Sequence, residues 1–581
     1  MKKKSHKRKK IDIYQKSFAF THRYNDEKFA FEKLKSIRNN FALKINNRLI
    51  LAAVVFSSIY LAVAIRMIDV NLFYHQENKY FSNNELIERG NIYDRNDVSI
   101  TANIKMYNIG INPNQVDDKS GLISKIKSIY PSINEEDLRK KFKKDKFFYL
   151  KRNTPPTDLQ EIVDLGETGI TIENTNQRKY LHKELFSHLI GKVDIDNEGI
   201  SGIEKSFNAV LKSESKKKFE TSLDVRLQHI VRDEILSGMD LYSATGGSGL
   251  IIDVNSGEIL SMVSLPDFDP NAKTQNHDNM FNKNTLGLYE FGSVMKTFTT
   301  AIGIEEKKFF PNSMYEINDS IKIGKYRVRD VHRPCEEDYC SVEDIFVHSS
   351  NVGTIQMIRD VGKDLQQSYL YELGLLNEID LELPELASPI YPDPWRMANT
   401  ESISYGYGLS ISPLHLASAT AAVVNGGYLI KPTLRKKTGE EIKGERLFSE
   451  QTSEIMRYLM SKVVDQGTAA RAFSEHTDYK YIVGGKTGTA KKIIDKSYDN
   501  KKMTTFISTF PINKPEYIVL VSLDEPKGIN DDYHPYNTFG WTDAGWNSTR
   551  VVRNIIDRIG PILDTKTKYL PNENIIIKTS H

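Results

Sequence analysis

Residues 289–296 read Tyr-Glu-Phe-Gly-Ser-Val-Met-Lys, so that Ser293 and Lys296 form an S-x-x-K pair. An S-x-N element follows at Ser349 and Asn351, and a K-T-G element begins at Lys486. This order of three short motifs is typical of enzymes in which a serine hydroxyl attacks an acyl group and a lysine amine assists it. The sequence therefore predicts a serine acyl-transfer site built from three distant segments.

Each of these motifs occurs elsewhere in the chain as well, and the neighbouring residues separate the copies. Ser293 opens a stretch with apolar residues at positions 294, 295, 298, 301, 302 and 304, a spacing typical of a buried helix. Lys486 follows the strand-like segment 481–485, whereas a second K-T-G at 437–439 lies in a polar turn. The S-x-x-K pair that begins at Ser124 lies in a lysine-rich stretch without an apolar continuation. We therefore retain the copies at 293, 349 and 486.

The charge of the chain is unevenly distributed. Residues 1–48 carry 15 Lys and Arg against 4 Asp and Glu, while the whole chain of 581 residues has a net charge of only +3. A basic block of this kind is compatible with nucleic-acid binding. However, residues 49–65 follow it directly and carry no charge, and with Arg66 snorkelling the apolar stretch extends to residue 68. This position favours a membrane-flanking tail and argues against a nucleic-acid partner.

The apolar segment 49–68 has close to the ~20 residues that a helix needs to span a bilayer. No small-residue cleavage site stands out after it, so we interpret it as a retained single-pass anchor, with a buried helix as the alternative. The positive-inside rule then places residues 1–48 in the cytoplasm and the chain after residue 69 on the other side of the membrane.

Cys335 and Cys340 are the two cysteines of the chain, and they are close in sequence. A small-loop disulfide is one interpretation, because disulfides persist in oxidising compartments. A zinc site with His332 and His348 is the other, although the spacing matches no standard pattern. The sequence leaves this choice open, and neither interpretation involves catalysis.

We divide the chain into five parts: a basic tail (1–48), a membrane helix (49–68), a mixed region (69–218), a second domain (219–562) and a polar tail (563–581). In the mixed region, the pattern predicts strands over 105–112 and 146–152 and a helix over 135–144. In the second domain, it predicts a helix starting near residue 225, a hairpin over 249–264, and strands over 480–490, 504–510 and 517–524. Helices inserted between strands of one antiparallel sheet give a layered α/β (α+β) fold.

Beyond the three motifs, two segments of the mixed region resemble signatures of class B penicillin-binding proteins. Residues 89–96 (Arg-Gly-Asn-Ile-Tyr-Asp-Arg-Asn) are similar to the family's R-G-x-I-x-D-R-N, and residues 199–207 are similar to its G-x-x-G-I-E element. In the second domain, residues 404–414 resemble the family's G-Y-G-x-x-x-x-P-L stretch. The resemblance covers about residues 85–560. It implies an elongated pedestal, braced by the two pedestal signatures, before a penicillin-binding, serine-β-lactamase-like transpeptidase domain.

Within this family the chain resembles the division-specific FtsI type. Its S-x-N and K-T-G-T differ from the S-x-D and K-S-G-T usual in elongation-specific relatives. The resemblance implies a D,D-transpeptidase that crosslinks pentapeptide strands of septal peptidoglycan through an acyl-enzyme on Ser293 and is covalently inhibited by β-lactams. The alternatives are the elongation-specific enzyme, and a β-lactam-sensing or catalytically silent binding module.

The resemblance also implies a location and partners. It places the protein in the inner (cytoplasmic) membrane at the division septum, with the catalytic domain in the periplasm. Its implied partners are a SEDS-family glycosyltransferase and other division proteins. No metal and no organic cofactor is implied.

The residues suggest how acylation proceeds. A serine hydroxyl needs an adjacent base, and Lys296, three positions after Ser293, lies on the same face of a helix. Burial and a second cation, for which Lys486 is the candidate, would lower the pKa of Lys296 so that its amine is neutral. By resemblance, the backbone N–H groups of Ser293 and Thr489 stabilise the oxyanion.

The remaining roles follow from the resemblance. Ser349 is expected to relay a proton between the lysines and the leaving D-alanine, and Asn351 to hold the substrate peptide and Lys296. Lys486 and Thr487 are expected to bind the terminal carboxylate of the donor. We attribute Gly488 to the space that a substrate peptide needs when it lies as an added strand along residues 486–490.

Overall fold

The computed structural model describes residues 54–67, 88–214, 217–272, 276–437, 444–474, 481–494 and 497–563. The chain forms two compact units, Met1–Glu85 and Leu86–His581. In the first unit, the described part is a helix over residues 54–67. The predicted basic tail, the rest of the predicted membrane helix and residues 564–581 of the predicted polar tail lie outside the described residues.

None of the helices in these ranges combines the length and the apolarity needed to cross a bilayer.

The first part of the second unit is built around a three-stranded antiparallel sheet. Its strands and the neighbouring short strand are β1 (Ile92–Tyr93), β2 (Thr101–Ile111), β3 (Phe148–Thr154) and β4 (Ile170–Tyr180). Its helices are α1 (Lys119–Ile129), α2 (Glu135–Lys143), α3 (Gln160–Val163), α4 (Ser187–Ile190), α5 (Gly202–Ser206) and α6 (Asn208–Ser213). The sheet order is β3-β2-β4, and α1 and α2 bury apolar residues beside it. Strands β2 and β3 and helix α2 lie where the sequence predicts them, whereas β4 was not predicted.

The second part, after residue 218, contains a five-stranded antiparallel sheet. Its longer strands are β6 (Gly246–Asp253), β7 (Ile259–Leu265), β14 (Gly484–Ile494), β15 (Ser497–Phe510) and β16 (Tyr517–Asp524), with short strands β5 (Phe219–Glu220), β8 (Met314–Glu316), β9 (Ile321–Ile323), β10 (Tyr326–Val328), β11 (Tyr339–Ser341), β12 (Tyr428–Leu429) and β13 (Glu445–Arg446) elsewhere. The order β14-β15-β16-β6-β7 confirms the predicted antiparallel sheet and makes β14 an edge strand.

Helices cover this sheet on both faces, as the predicted layered fold requires. They are α7 (Val225–Leu241), α8 (Lys296–Glu305), α9 (Val342–Val347), α10 (Asn351–Val361), α11 (Lys363–Glu372), α12 (Met397–Ser404), α13 (Pro413–Val424), α14 (Glu450–Asp465), α15 (Ala470–Ser474) and α16 (Ser548–Ile559). Helices α7 and α16 pack against each other and the sheet, while α8, α10 and α14 belong to the helical part between β7 and β14. One continuous apolar core joins these layers.

The predicted pedestal signature 89–96 links the two parts of this unit. The Asp94 carboxylate accepts a hydrogen bond from the backbone N–H of Val225, where α7 begins, at 3.1 Å. The Asn96 amide donates to the Asp224 carboxylate at 2.8 Å. Asp224 in turn caps α7 by accepting from the N–H of Arg226. The second half of the signature therefore fastens the sheet domain's first helix, in line with its predicted bracing role.

The first half of the signature is held by a buried charge cluster. Arg89 and Arg178 donate to opposite oxygens of the Glu204 carboxylate at 2.5 and 2.7 Å, and all three side chains are at most 1% exposed. Glu204 belongs to the second signature, 199–207, and that segment also reaches the sheet domain, because the N–H of Gly202 donates to the Glu385 carboxylate. Both signatures thus combine contacts within the pedestal with contacts across to the next domain.

Candidate active site

Ser293 lies in a 3₁₀ turn that leads directly into α8. This turn covers Gly292–Met295, and the α-helix begins at Lys296 instead of at Ser293 as the sequence suggests. Ser293 and Lys296 are three positions apart across the junction of this turn and α8, a spacing that favours side chains on one face of a helix. Ser293 is partly exposed to a cleft, while Lys296 is only 1% exposed.

Glycines allow the Ser293 turn (292–295), which we call the nucleophile turn after the predicted role of Ser293, to approach its neighbours closely. Gly292 has φ +54°, and a Cβ there would lie 2.5 Å from the carbonyl oxygen of Thr489. Gly406 has φ +102°, and its Cβ would lie 1.9 Å from the carbonyl oxygen of Gly292. No side chain fits these spaces, so glycine is required at both positions. The glycine at 406 explains part of the family-like stretch 404–414.

Ser349 occupies a strained position between α9 and α10. Its φ of +62° is unusual for a residue with a side chain, and such strain persists at sites where the surroundings enforce it. Ser350 begins α10 as its N-cap, with its Oγ accepting from the N–H of Gly353. This turn directs the Ser349 hydroxyl towards two lysines.

The structure brings together four of the predicted groups: the Ser349 hydroxyl, the amines of Lys296 and Lys486, and the Asn351 amide. Lys296 Nζ donates to Asn351 Oδ1 at 2.7 Å, to the Ser349 carbonyl oxygen at 2.5 Å and to Ser349 Oγ at 3.2 Å. Lys486 Nζ donates to the same Ser349 Oγ at 3.0 Å. One serine hydroxyl therefore lies between two lysine amines, and this geometry permits a proton to pass from one amine to the other.

Both lysines are held in conditions that favour the neutral amine. Burial lowers the pKa of Lys486 to about 7. Burial, followed by the repulsion from Lys486, lowers the pKa of Lys296 well below its ordinary value, and the Asp330 carboxylate opposes this by raising it. A lowered pKa increases the fraction of Lys296 that carries a neutral amine, and a neutral amine can act as a general base.

The K-T-G strand β14 forms one wall of the cleft. The hydroxyls of Thr487 and Thr468 hydrogen-bond to each other at 2.6 Å. Thr489 Oγ1 accepts from the N–H of Ala544 at 3.1 Å and thereby ties the strand to the segment before α16. Thr487 and Thr489, two positions apart, both line the cleft, as expected for residues on the same face of a strand.

The structure gives Gly488 a different reason from the one that the sequence suggested. A Cβ at this position would lie 2.2 Å from the carbonyl oxygen of Phe291 and 2.6 Å from Val294 Cγ2. Its missing side chain therefore points into the nucleophile turn and not towards a peptide along the free edge of β14. Glycine is needed here because the strand and the turn touch.

The cleft has a volume of about 610 Å³, and its lining includes several residues outside the three motifs. Tyr405 and Tyr407 come from the predicted family-like stretch, but only the fold shows that they line the same cleft as Ser293. Thr468, Trp541 and Trp546 complete the walls, and no local sequence signal marks them. Asp330 contacts the S-x-N turn from a separate loop.

The two cysteines form a disulfide, with Cα atoms 5.8 Å apart, which decides the question left open by the sequence. Its sulfurs are therefore not available as zinc ligands. Nowhere in the described ranges do three or more His, Cys, Asp or Glu side chains form a group suited to a metal. His332 and His348 instead line the cleft.

Comparison with known families agrees with this fold and site. Residues 247–539 match the penicillin-binding protein transpeptidase domain, and residues 85–243 match the penicillin-binding protein dimerisation domain. The chain therefore belongs to the penicillin-binding protein transpeptidase family. The added dimerisation domain and the relatives below identify it as a class B member of the FtsI type, as the sequence motifs predicted.

Among curated relatives, a probable peptidoglycan D,D-transpeptidase FtsI of Caulobacter vibrioides is 31% identical over 83% of this chain and 82% of its own length. Peptidoglycan D,D-transpeptidase FtsI of Escherichia coli is 26% identical over 76% of this chain and 79% of its own length. Among solved structures, penicillin-binding protein 3 of Mycobacterium tuberculosis in complex with aztreonam aligns with a TM-score of 0.63 at 22% identity, covering 83% of this chain and 98% of that one. This last likeness supports the fold.

Proposed function

We propose that the protein is a serine-type D,D-transpeptidase that crosslinks septal peptidoglycan. It joins a donor pentapeptide ending in D-alanyl-D-alanine to an amine of a neighbouring strand. The observation that carries the proposal is the arrangement of two buried lysines on the hydroxyl of Ser349, beside a cleft that contains Ser293. The names of the FtsI relatives, with which the chain shares most of its length, support the same reaction.

In the acylation step, neutral Lys296 removes the proton of Ser293 as Oγ attacks the carbonyl carbon between the two D-alanines. The backbone N–H groups of Ser293 and Thr489 stabilise the resulting oxyanion, and such a donor contributes roughly 3–4 kcal/mol to the transition state. The C–N bond then breaks, and the proton taken by Lys296 reaches the leaving amine through the hydroxyl of Ser349. Lys486 and Thr487 hold the terminal carboxylate of the donor, and Asn351 holds the donor backbone.

In the second step, the amine of the acceptor strand attacks the ester on Ser293. The new amide bond forms, the ester C–O bond breaks, and Ser293 Oγ regains a proton from the attacking amine by way of Lys296. A β-lactam follows the first step only, because its opened ring stays attached and no leaving group departs. The same chemistry therefore predicts covalent inhibition by β-lactams.

The proposed organisation is a cytoplasmic tail (1–48), a single membrane anchor (49–68), a periplasmic pedestal (69–218), the transpeptidase domain (219–562) and a C-terminal tail (563–581). In the described helix 54–67, Phe56, Tyr60 and Leu61 expose 66, 73 and 62% of their surface, which suits a helix that faces lipid or a partner. We infer that the anchor packs on a SEDS-family glycosyltransferase in the inner membrane, at the septum with other division proteins.

Labelling with a fluorescent penicillin tests the nucleophile. The wild type is expected to bind the reagent covalently, and Ser293→Ala is expected to lose all labelling. Ser124→Ala is the matched control, because Ser124 also begins an S-x-x-K pair but lies on the exposed face of α1. Labelling of Ser293→Ala at the wild-type level would refute the assignment. Formation of crosslinked product from pentapeptide strands then separates an enzyme from a silent binding module.

Replacing residues 49–68 by an unrelated hydrophobic helix tests the partner. Such a chimera is expected to bind penicillin normally and to fail to support division. If division continues, the anchor is only a tether and the proposed contact with the glycosyltransferase is wrong. A tagged copy that follows the side wall instead of midcell would favour the elongation-specific alternative.

A further inference from the structure

Asp330 lies outside the three motifs, yet its carboxylate holds the S-x-N turn. It follows β10 in the loop that continues to the Cys335–Cys340 disulfide. Asp330 Oδ2 accepts from the Ser350 hydroxyl at 2.6 Å. Asp330 Oδ1 accepts from the backbone N–H groups of Asn351 and Val352, the latter at 3.1 Å. One side chain thus contacts three consecutive residues of the motif segment.

These contacts do more than cap α10. The side chain of Ser350 already caps the helix by accepting from the N–H of Gly353 at 2.9 Å. Asp330 adds acceptors for the two preceding N–H groups, so the first three N–H groups of the helix all have a partner. A carboxylate at this end of a helix is also favoured by the helix dipole. The S-x-N turn therefore carries two caps, and the second one comes from a different part of the chain.

The same loop fixes the orientation of the Asn351 amide. The carbonyl oxygen of Arg329 accepts from Asn351 Nδ2 at 3.3 Å, while Asn351 Oδ1 accepts from Lys296 Nζ at 2.7 Å. Asn351 is therefore held through its backbone by Asp330 and through its side chain by Arg329. Ser349, one residue before this clamp, keeps its strained φ of +62°. The Ser349 hydroxyl now lies between the two lysine amines. Without the clamp, relaxation of the backbone strain would move it away from that position.

We propose that Asp330 is a positioning residue for transpeptidation, whose carboxylate fixes the turn 349–351 so that Ser349 Oγ and Asn351 Oδ1 stay on Lys296 Nζ. This inference rests on the proposed roles of Ser349, Asn351 and Lys296. Asp330 itself touches the turn and is not among the residues that line the cleft.

Charge gives the proposal a second consequence. In the described part of the chain, the charged groups that act on Lys296 are Lys486 on β14, which repels its ammonium form, and Asp330, which stabilises it. Removing the carboxylate therefore lowers the pKa of Lys296 further. A variant without the Asp330 carboxylate should therefore keep its acylation activity to lower pH than the wild type, because acylation depends on neutral Lys296. This shift is expected whatever the maximum acylation rate of the variant.

The experiment compares Asp330→Asn with Asp344→Asn in the full-length protein. Asp344 is a matched control, because its carboxylate caps the neighbouring helix α9 by accepting from Ser341 N and Ser341 Oγ at 3.1 and 2.5 Å, away from the cleft. The readouts are the melting temperature and the second-order rate constant of acylation by a fluorescent penicillin as a function of pH. Both variants are expected to melt below the wild type.

Asp330→Asn is expected to acylate about 10²-fold more slowly near neutral pH, the order of loss that a misplacement of about 1 Å produces. The low-pH side of its pH–rate profile (the acid limb), where acylation slows because Lys296 is protonated, is expected to move to lower pH. Asp344→Asn is expected to keep the wild-type acylation rate and pH–rate profile. Asp330→Glu, which keeps the charge but shifts the carboxylate, should acylate slowly with an unmoved acid limb, and it serves as the test if Asp330→Asn does not fold. Equal rates in the Asp330 variants and the wild type, or an equal loss in Asp344→Asn, would overturn the inference.

Failure of this inference is distinguishable from failure of the proposed function. Ser293→Ala abolishes labelling if the proposed nucleophile is right, independently of Asp330. A wild type that labels on Ser293, together with an Asp330→Asn variant of normal rate and normal pH profile, would leave the enzyme assignment intact and reduce Asp330 to a structural cap.

Discussion

Substituting alanine at Gly488 tests whether the contact between β14 and the nucleophile turn sets the geometry of the site. The added Cβ would lie 2.2 Å from the carbonyl oxygen of Phe291, whereas ordinary contacts begin at 3.4 Å. The strand and the turn must therefore separate by about 1.2 Å, since a backbone oxygen cannot rotate away as the end of a side chain can. A displacement of this size near a reacting group is expected to slow acylation about 10²-fold.

Gly485→Ala provides the control on the same strand. Its Cβ would lie 2.6 Å from the Ile507 carbonyl oxygen and from the Phe506 ring, which are both on β15 and not in the nucleophile turn. Overpacking is expected to reduce the stability of both variants by about 1–3 kcal/mol. Urea unfolding and stopped-flow acylation with a fluorescent penicillin measure the two effects separately. The reasoning is refuted if Gly488→Ala acylates at the wild-type rate, or if both variants lose the same fraction of activity.

Three further outcomes follow from buried charges. The second-order rate constant of acylation is expected to rise with pH as Lys296 loses its proton. Above about pH 7 it is expected to fall, because burial lowers the pKa of Lys486 to about 7 and Lys486 then loses the charge that binds carboxylate. A rate constant that does not change through pH 7 would contradict this. Lys486→Met is expected to abolish acylation yet raise the melting temperature at pH 7 and below, because the pKa of Lys486 in the folded state lies under its ordinary value of 10.5. This gain in melting temperature should vanish as the pH approaches 10.5. Scanning fluorimetry at two pH values measures it, and a lower melting temperature than the wild type at pH 7 would oppose the reasoning. Glu204→Gln leaves the guanidinium groups of Arg89 and Arg178 buried without a counter-charge, so urea unfolding should show a loss of about 3–5 kcal/mol, and an unchanged midpoint would argue against the cluster as a brace.

The sequence was informative where the chemistry is local. Ser293 and Lys296 are three positions apart, and the apolar pattern around and after them is enough to predict a buried helix. The hairpin β6–β7 follows from two apolar runs joined by a turn that ends in Gly257, which has φ +74° in the structure. The strands at 504–510 and 517–524 were predicted from runs of apolar and β-branched residues, which lie in β15 and β16. The strand at 480–490 was predicted from the segment 481–485 that precedes the K-T-G motif, and it overlaps β14.

Other features depend on contacts between distant segments, and no local pattern reports them. Strand β4 has the sequence ITIENTNQRKY, whose polar residues conceal a strand that is paired along its whole length with β2. Asp330 lies about twenty positions before the turn that it clamps, in a loop without periodicity. The reason for Gly488 was misassigned because the sequence shows that a side chain is missing but not which neighbour occupies its place.

The lysines supply the chemistry of the site, but the glycines set its distances. The reactive groups come from three separate elements: the start of α8, the turn between α9 and α10, and the edge strand β14. Strand β14 packs directly against the nucleophile turn. The two segments touch at Gly292 and Gly488, and neither glycine has room for a Cβ. A chain that kept every reactive residue of the motifs but carried side chains at these glycines would therefore lose the close contact between β14 and the turn that holds Ser293.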